Sequence, residues 1–222
     1  MIENLFPNVD WTIMWEATVE TIYMTAISTL FTFVIGLTLG VLLFLSSPGQ
    51  LWSNKLTYTI TGAFVNIFRS IPFIILIILL IPFTKFLIGT IRGPEAALPA
   101  LIIGAAPFYG RMVLIALQEI DKGVIEAAKS MGAKTRTIIF KVLLPESMPA
   151  LISGITVTAI ALVGYTAMAG IIGAGGLGTL AYMDGFQRSR EDVTLVSTIL
   201  ILVVVFIIQL IGDIAVKRLD KR

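Results

Sequence analysis

Neither cysteine nor histidine occurs in the 222 residues. Their absence excludes disulfides, thiol catalysis, a Cys/His zinc site and a Ser-His-Asp triad within this chain. Charge is scarce as well. Asp, Glu, Lys and Arg together make up 14% of the residues, against about a quarter in a soluble domain. The net charge is only +2, and the basic residues lie in loops without forming a nucleic-acid patch. No G-x-x-x-x-G-K-[ST] phosphate loop occurs, so the chain cannot power itself by ATP in the usual way. Glu3, Asp10, Glu16 and Glu20 all precede the first basic residue. The basic n-region of a cleaved signal peptide is therefore missing, and the first hydrophobic helix is expected to stay.

What fills the chain instead is apolar: 57% of residues are hydrophobic and the mean hydropathy is +0.96. That content is spread over nearly the whole length, which predicts one membrane-embedded, all-α domain. A spanning helix needs about 20 apolar residues at ~1.5 Å rise each. Five runs meet the requirement, at roughly 20–45, 58–84, 95–118, 149–172 and 193–212. Ser46-Ser47-Pro48-Gly49 closes the first. The second contains Arg69 and Pro72, and the third Pro107 and Arg111. The uncharged run from Ser147 to Met183 is too long for one span. Gly173-Ala174-Gly175-Gly176-Leu177-Gly178 is expected to end the fourth helix near the surface, ahead of a short re-entrant or interfacial piece.

An odd number of spans puts the termini on opposite sides. With the N-terminus outside, the inner face holds Lys55, Lys122, Lys129, Lys134, Arg136, Lys141, Lys217, Arg218, Lys221 and Arg222. The outer face then holds only Lys85, Arg92, Arg188 and Arg190. The positive-inside rule therefore predicts N-out and C-in. Residues 1–17 become an external segment, whose Trp11 and Trp15 suit an interfacial aromatic belt, and 213–222 a cytoplasmic tail.

One sizeable hydrophilic excursion can form structure of its own, residues 121–147. Asp121 is placed to cap a helix and Gly132 to end it in a left-handed conformation. Between them Val124, Ala127, Ala128 and Met131 form an apolar stripe at helical spacing, while Lys122, Glu126 and Lys129 point elsewhere. A second short amphipathic helix, about 135–144, gathers Ile138, Ile139, Val142 and Leu143 on one side. Pro145 and Pro149 are expected to redirect the chain into the fourth span. Two readings fit: helices resting on lipid headgroups, or a docking element seated in a groove of a partner. Ala127, Ala128 and Gly132 permit close approach, and bulky anchoring residues are scarce in the first helix.

Here the residues become recognisable. Glu126-Ala127-Ala128, then Gly132-Ala133 after three residues, then Ile139 and Leu144-Pro145, resemble the EAA loop of permeases in binding-protein-dependent ABC importers. More widely, residues 18–212 resemble the type I importer permease domain. Asn66-Ile67-Phe68-Arg69-Ser70-Ile71-Pro72-Phe73, Gly104-Ala105-Ala106-Pro107-Phe108, Leu162-Val163-Gly164-Tyr165 and the Gly173 to Gly178 cluster are similar to the methionine-import branch.

The resemblance implies a multi-pass permease of the cell membrane, not an enzyme, that passes methionine or a related amino acid by alternating access. The alternative within the class is another amino acid or small polar solute. It implies a homodimer, two copies of a cytoplasmic ABC ATPase and an extracytoplasmic substrate-binding protein. ATP and Mg would sit on the partner ATPase, with no cofactor or metal in this chain. In the coupling loop, Glu126 would contact the ATPase or brace the loop. Ala127 and Ala128 would allow close packing, and Gly132 would set the turn before Ala133.

Other features carry two readings each. Gly173, Gly175 and Gly178 match GxGxxG, but they follow an apolar span and no βαβ unit, so a helix break or tight packing accounts for them better than a nucleotide. Arg69 and Arg111 are charges within spans, which demand a partner or water. They are read as structural, paired with Glu119 or with carbonyls freed at Pro72 or Pro107, or snorkelling to an interface; substrate contact is the alternative. Gly36 and Gly40 form a GxxxG suited to close helix packing. Tyr165 and Met168 lie three apart on one face of the fourth helix, where Met168 could plug a gate or simply pack. Asp184, Arg188, Arg190 and Glu191 form an outer loop, free to meet a delivery protein or to be solvated.

Two rival classes fit less well. A secondary transporter calls for inverted repeats and intramembrane carboxylates, yet the acidic residues cluster at ends and loops and no repeat is found. A membrane enzyme needs a nucleophile–base pair or metal ligands, for which a chain without His or Cys has few means.

Overall fold

The computed structural model describes residues 6–219, so Glu3, Lys221 and Arg222 lie outside the described residues. Among those described, every regular element is a helix. Asp10 sets the start of the first: its carboxylate accepts the N–H groups of Thr12 at 2.9 Å and Ile13 at 3.2 Å, donors that a first turn leaves free. Helix α1 then runs Trp11–Ser46, beginning well before the residue 20 expected from hydropathy. At 1.5 Å per residue it is ~54 Å long, more than a ~30 Å hydrocarbon core needs.

Helix α5 (Pro94–Gln118) lies along α1 as its most extensive neighbour. Glycines set that distance. A Cβ on Gly36 would stand 2.8 Å from the Ala106 carbonyl oxygen, and one on Gly40 2.6 Å from that of Gly110. The GxxxG pair is thus a close-packing device.

The helix expected at 58–84 is not continuous. It is divided into α2 (Lys55–Ser70), α3 (Phe73–Leu79) and α4 (Ile81–Ile88), with a bend of 104° between α2 and α3. Pro72 explains the break. It has no N–H to continue the ladder, and it holds Ile71 in an extended conformation at φ −80°, ψ 122°. Gly89, at φ +84°, closes α4.

Helix α6 (Lys122–Ser130) precedes α7 (Thr135–Ile171), a helix of 37 residues. The sequence predicts a separate short helix redirected by Pro145 and Pro149; the structure keeps both prolines inside α7. A π-helical stretch, Ile139–Leu143, makes this possible. There the Leu144 N–H reaches back five residues to the Ile139 carbonyl, and the widened turn accommodates the missing donor at Pro145.

After Ile171 the chain reverses through glycines in the left-handed region, Gly173, Gly175 and Gly176, with φ of +90°, +85° and +74°. Helix α8 (176–186) starts as Gly176–Thr179 and becomes π-helical over Leu180–Phe186. Helix α9 (Glu191–Leu219) returns. Its first turn is latched to the N-terminal segment, where the Asp192 carboxylate accepts the Asn8 backbone N–H at 2.9 Å and its side-chain amide at 3.2 Å.

Four helices, α1, α5, α7 and α9, are long and apolar enough to cross a bilayer, and the bent α2–α3 pair brings the number to five. Buried side chains form three cores. The first joins α1, α2 and α5 to α6 and the base of α7 through Phe44, Val65, Leu117, Ile125, Ile138 and Leu143. The second packs Met24, Phe73, Ile77, Leu101 and Leu162 together. The third ties Met14 and Ala17 to Leu177, Val193 and Val196.

Candidate functional site

The loop residues fold into a supported surface. The Asp121 carboxylate accepts the Gly123 N–H at 2.6 Å, holding the first turn of α6. Ile125 and Ala128, each 5% exposed, point into the first core beside Ile138 and Leu143. The apolar stripe is therefore not buried as one face. Of its members Ala128 faces inward, while Val124 and Met131, 43% and 81% exposed, stand outward beside the exposed Ala127. Glu126 is exposed on the same short helix. In α7, Ile138, Ile139 and Leu143 are buried and Val142 half-buried, as their spacing predicts.

Gly132 terminates α6. Its φ is +74°, its own N–H donates to Lys129 O at 2.9 Å, and the Ala133 N–H donates to Ala128 O at 3.1 Å. This is a Schellman arrangement, which satisfies carbonyls at the helix end. A Cβ at Gly132 would meet nothing within 4 Å. Glycine is required there by the backbone angle, not by crowding within this chain.

Tyr165 on α7 is half-buried and stacks on Phe73 of α3, with ring centroids 4.5 Å apart and planes 5° from parallel. Met168, one turn on, is 44% exposed. Arg69 occupies the last turn of α2, its guanidinium 5.9 Å from the centre of the Phe108 ring. Arg111 lines a separate cavity with Tyr58, Asn66 and Leu43. Neither arginine pairs with Glu119. The ion pair among the described residues is Arg188–Asp184, at 2.6 Å, joining the last turns of α8 to the turn that follows it.

The glycine cluster joins two helices, and a carboxylate already occupies the place a phosphate would take. Glu20 accepts the Gly176 N–H at 2.6 Å, and the Thr21 hydroxyl accepts the Leu177 N–H at 2.9 Å. Gly178 abuts Ala167, and Gly170 abuts Thr179, with no room for a side chain on either glycine. No group of three or more acidic residues suited to a metal ion exists among the described residues.

Ile125, the pairing of Phe73 with Tyr165 and the capping by Glu20 are what sequence reasoning missed. Ile125 could have been found from its spacing to Ala128. The partners of Phe73 and Glu20 lie far along the chain, and no local pattern signals them.

Comparison with known proteins gives a consistent picture. A family described as the binding-protein-dependent transport system inner membrane component matches residues 33–222. The methionine import system permease protein MetP of Bacillus subtilis (strain 168) is 69% identical over 222 residues, covering all of both chains. The probable D-methionine transport system permease protein MetI of Pasteurella multocida (strain Pm70) is 46% identical over 212 residues, 96% of this chain and 98% of that one. A chain from the MetNI methionine ABC transporter, solved in inward-facing conformations, aligns with a TM-score of 0.93 at 46% identity, covering 96% of this chain and 100% of that one. An amino acid ABC transporter solved with histidines shares the fold alone, with a TM-score of 0.70 at 20% identity, covering 95% and 99%.

Proposed function

This chain belongs to the family of binding-protein-dependent transport system inner membrane components, and on that premise we propose that it forms the translocation pathway of an ATP-driven methionine importer. It is a permease subunit and not an enzyme; ATP is hydrolysed on a separate chain. The observation that carries the reading is the shape of α6. Ile125 and Ala128 fix the helix to the core, while Val124, Ala127 and Met131 are held outward, exposed among the described residues. An apolar edge on a rigid, small-residue helix fits a groove better than it fits water.

In this reading two copies of the chain assemble as a homodimer, N-terminus outside and C-terminus inside. Two ATPase subunits, carrying ATP and Mg, grip the two α6 helices. Glu126 makes polar contact at the rim, Ala127 and Ala128 permit the close approach, and the turn at Gly132 and Ala133 presents the surface. An extracytoplasmic binding protein delivers the cargo to the outer face. Arg111 has a structural role, and Met168, one turn beyond Tyr165, plugs the pathway when it is shut.

Gentle purification from native membranes tests the assignment. A stoichiometric ATPase is expected to co-elute and to be lost from Gly132→Trp, whose membrane insertion is retained. Vesicles holding the complex and its binding protein are expected to accumulate labelled methionine when given ATP. An intact dimer that brings down no ATPase would sink the importer reading and reopen the secondary-transporter one.

A further inference from the structure

We propose that the break between α2 and α3 forms a transient site for the zwitterionic amino-acid cargo, with Arg69 receiving its carboxylate and the surrounding aromatic rings its side chain. The inference rests on the importer reading above and names a place within the pathway where cargo pauses.

A cavity of about 240 Å³ opens at this break, lined by Phe68, Arg69, Phe73, Gly104, Phe108 and Tyr165 among others. That is just below the ~300–1,000 Å³ of pockets for drug-sized ligands, and suits a single amino acid. Arg69, exposed at the end of α2 and facing the mouth of this cavity, contributes a cation beside an apolar span, with no carboxylate partner among the described residues. Such a charge is costly without an anion or water to meet it, and a guanidinium binds a carboxylate with two parallel hydrogen bonds.

The break supplies the complementary charge. Pro72 has no N–H, so the Phe68 carbonyl has no donor four residues on, and the end of α2 presents the negative pole of its dipole. An ammonium group is suited to that end. Interrupted helices beside a cavity serve ligands in transporters for this reason.

The aromatic walls suit a thioether. Phe73 and Tyr165 are stacked, and Phe108 lies 5.9 Å below the guanidinium; sulfur makes favourable contacts with ring edges. Gly104 lets this wall pack closely, since a Cβ there would approach Leu76 at 3.2 Å and Phe73 at 3.3 Å.

The test uses the complete transporter, permease with ATPase and binding protein, in phosphatidylcholine vesicles with and without phosphatidylglycerol. The reading is labelled methionine accumulated per ATP hydrolysed. Arg69→Gln is expected to lower that ratio about tenfold, the scale of one lost charge-assisted hydrogen bond, with Arg69→Lys in between. An unchanged ratio overturns the proposal, including the case in which uptake and hydrolysis fall in step, as a structural role would cause. If the wild-type transporter loses the same ratio when phosphatidylglycerol is withheld, Arg69 holds a lipid phosphate and the proposal is overturned. Failure of the importer reading itself is distinct, because the wild-type vesicles would then take up no methionine. Should Arg69→Gln not assemble, a diazirine analogue of methionine photolysed in the wild-type complex decides. Label on peptides carrying Phe73, Phe108 or Tyr165 is expected; label found only elsewhere overturns the site.

Discussion

The Glu20 carboxylate accepts the backbone N–H of Gly176 at 2.6 Å, joining α1 to the first turn of α8 across 156 residues of chain. Helix α8 thus takes its N-terminal cap from another helix, with the Thr21 hydroxyl serving the next donor. Replacing Glu20 by alanine is expected to cost about 1–2 kcal/mol, the range of a lost cap or charge-assisted bond. Glutamine, which keeps an acceptor oxygen, should fall between. Thermal unfolding of the detergent-solubilised protein measures the order, and an alanine variant as stable as the parent would contradict it.

Gly40 and Gly62 make a paired test of helix packing. A Cβ at Gly40 would crowd the Gly110 carbonyl oxygen at 2.6 Å, whereas one at Gly62 would meet only a Leu43 methyl at 3.8 Å. Gly40→Leu is expected to destabilise by about 1–3 kcal/mol or more through forced separation of α1 and α5. Gly62→Ala should be neutral or stabilising by about 0.5–1 kcal/mol, since alanine favours the helix. The same unfolding assay separates the two.

At Gly132 the constraint is the φ of +74°. Valine there should cost about 1–2 kcal/mol of local strain, and asparagine, which visits this region more readily, should cost less. The fraction of permease that retains its ATPase through gel filtration is expected to follow glycine, asparagine, valine in descending order. Equal retention by all three would show that the turn does not shape the docking surface.

Met168 provides a test of closure. If its exposed side chain plugs the shut pathway, Met168→Ala should raise the ATP-independent leak of methionine from preloaded vesicles several-fold. Met168→Leu, similar in bulk, should stay tight. A leak unaffected by alanine would reduce Met168 to ordinary packing.

Much of this arrangement was legible from local chemistry. Asp121 and Gly132 were readable because a cap and a left-handed turn depend on residues within one helical turn. The glycine cluster was readable as a helix break because several glycines after an apolar span, without a βαβ context, have little else to do. The 104° bend was not, although Pro72 was noticed, because a proline within an apolar span is compatible with a mild kink as well as with a break. The face of α6 was misread for a different reason. Ile125 and Val124 are both apolar, and periodicity identifies apolar positions without deciding which edge meets the core and which stays exposed. The Phe73–Tyr165 stack and the Glu20–Gly176 bond depend on how α3, α7 and α1 pack, which no short window of sequence contains.

Helix α7 begins in the core that supports α6 and carries Tyr165 and Met168 toward its other end, with no loop between. From Ile138 to Met168 the distance is ~45 Å at 1.5 Å per residue. The irregular stretch of this rod lies close to its foot, where the π-helical turn at Ile139–Leu143 is followed by Pro145 and Pro149. A push delivered at the foot therefore cannot dissipate in a slack connection; it arrives at the far end as tilt. If the ATPase acts on α6 as proposed, its stroke and the opening of the passage become the same mechanical coordinate, and stiffening or loosening that turn would set how much of one becomes the other.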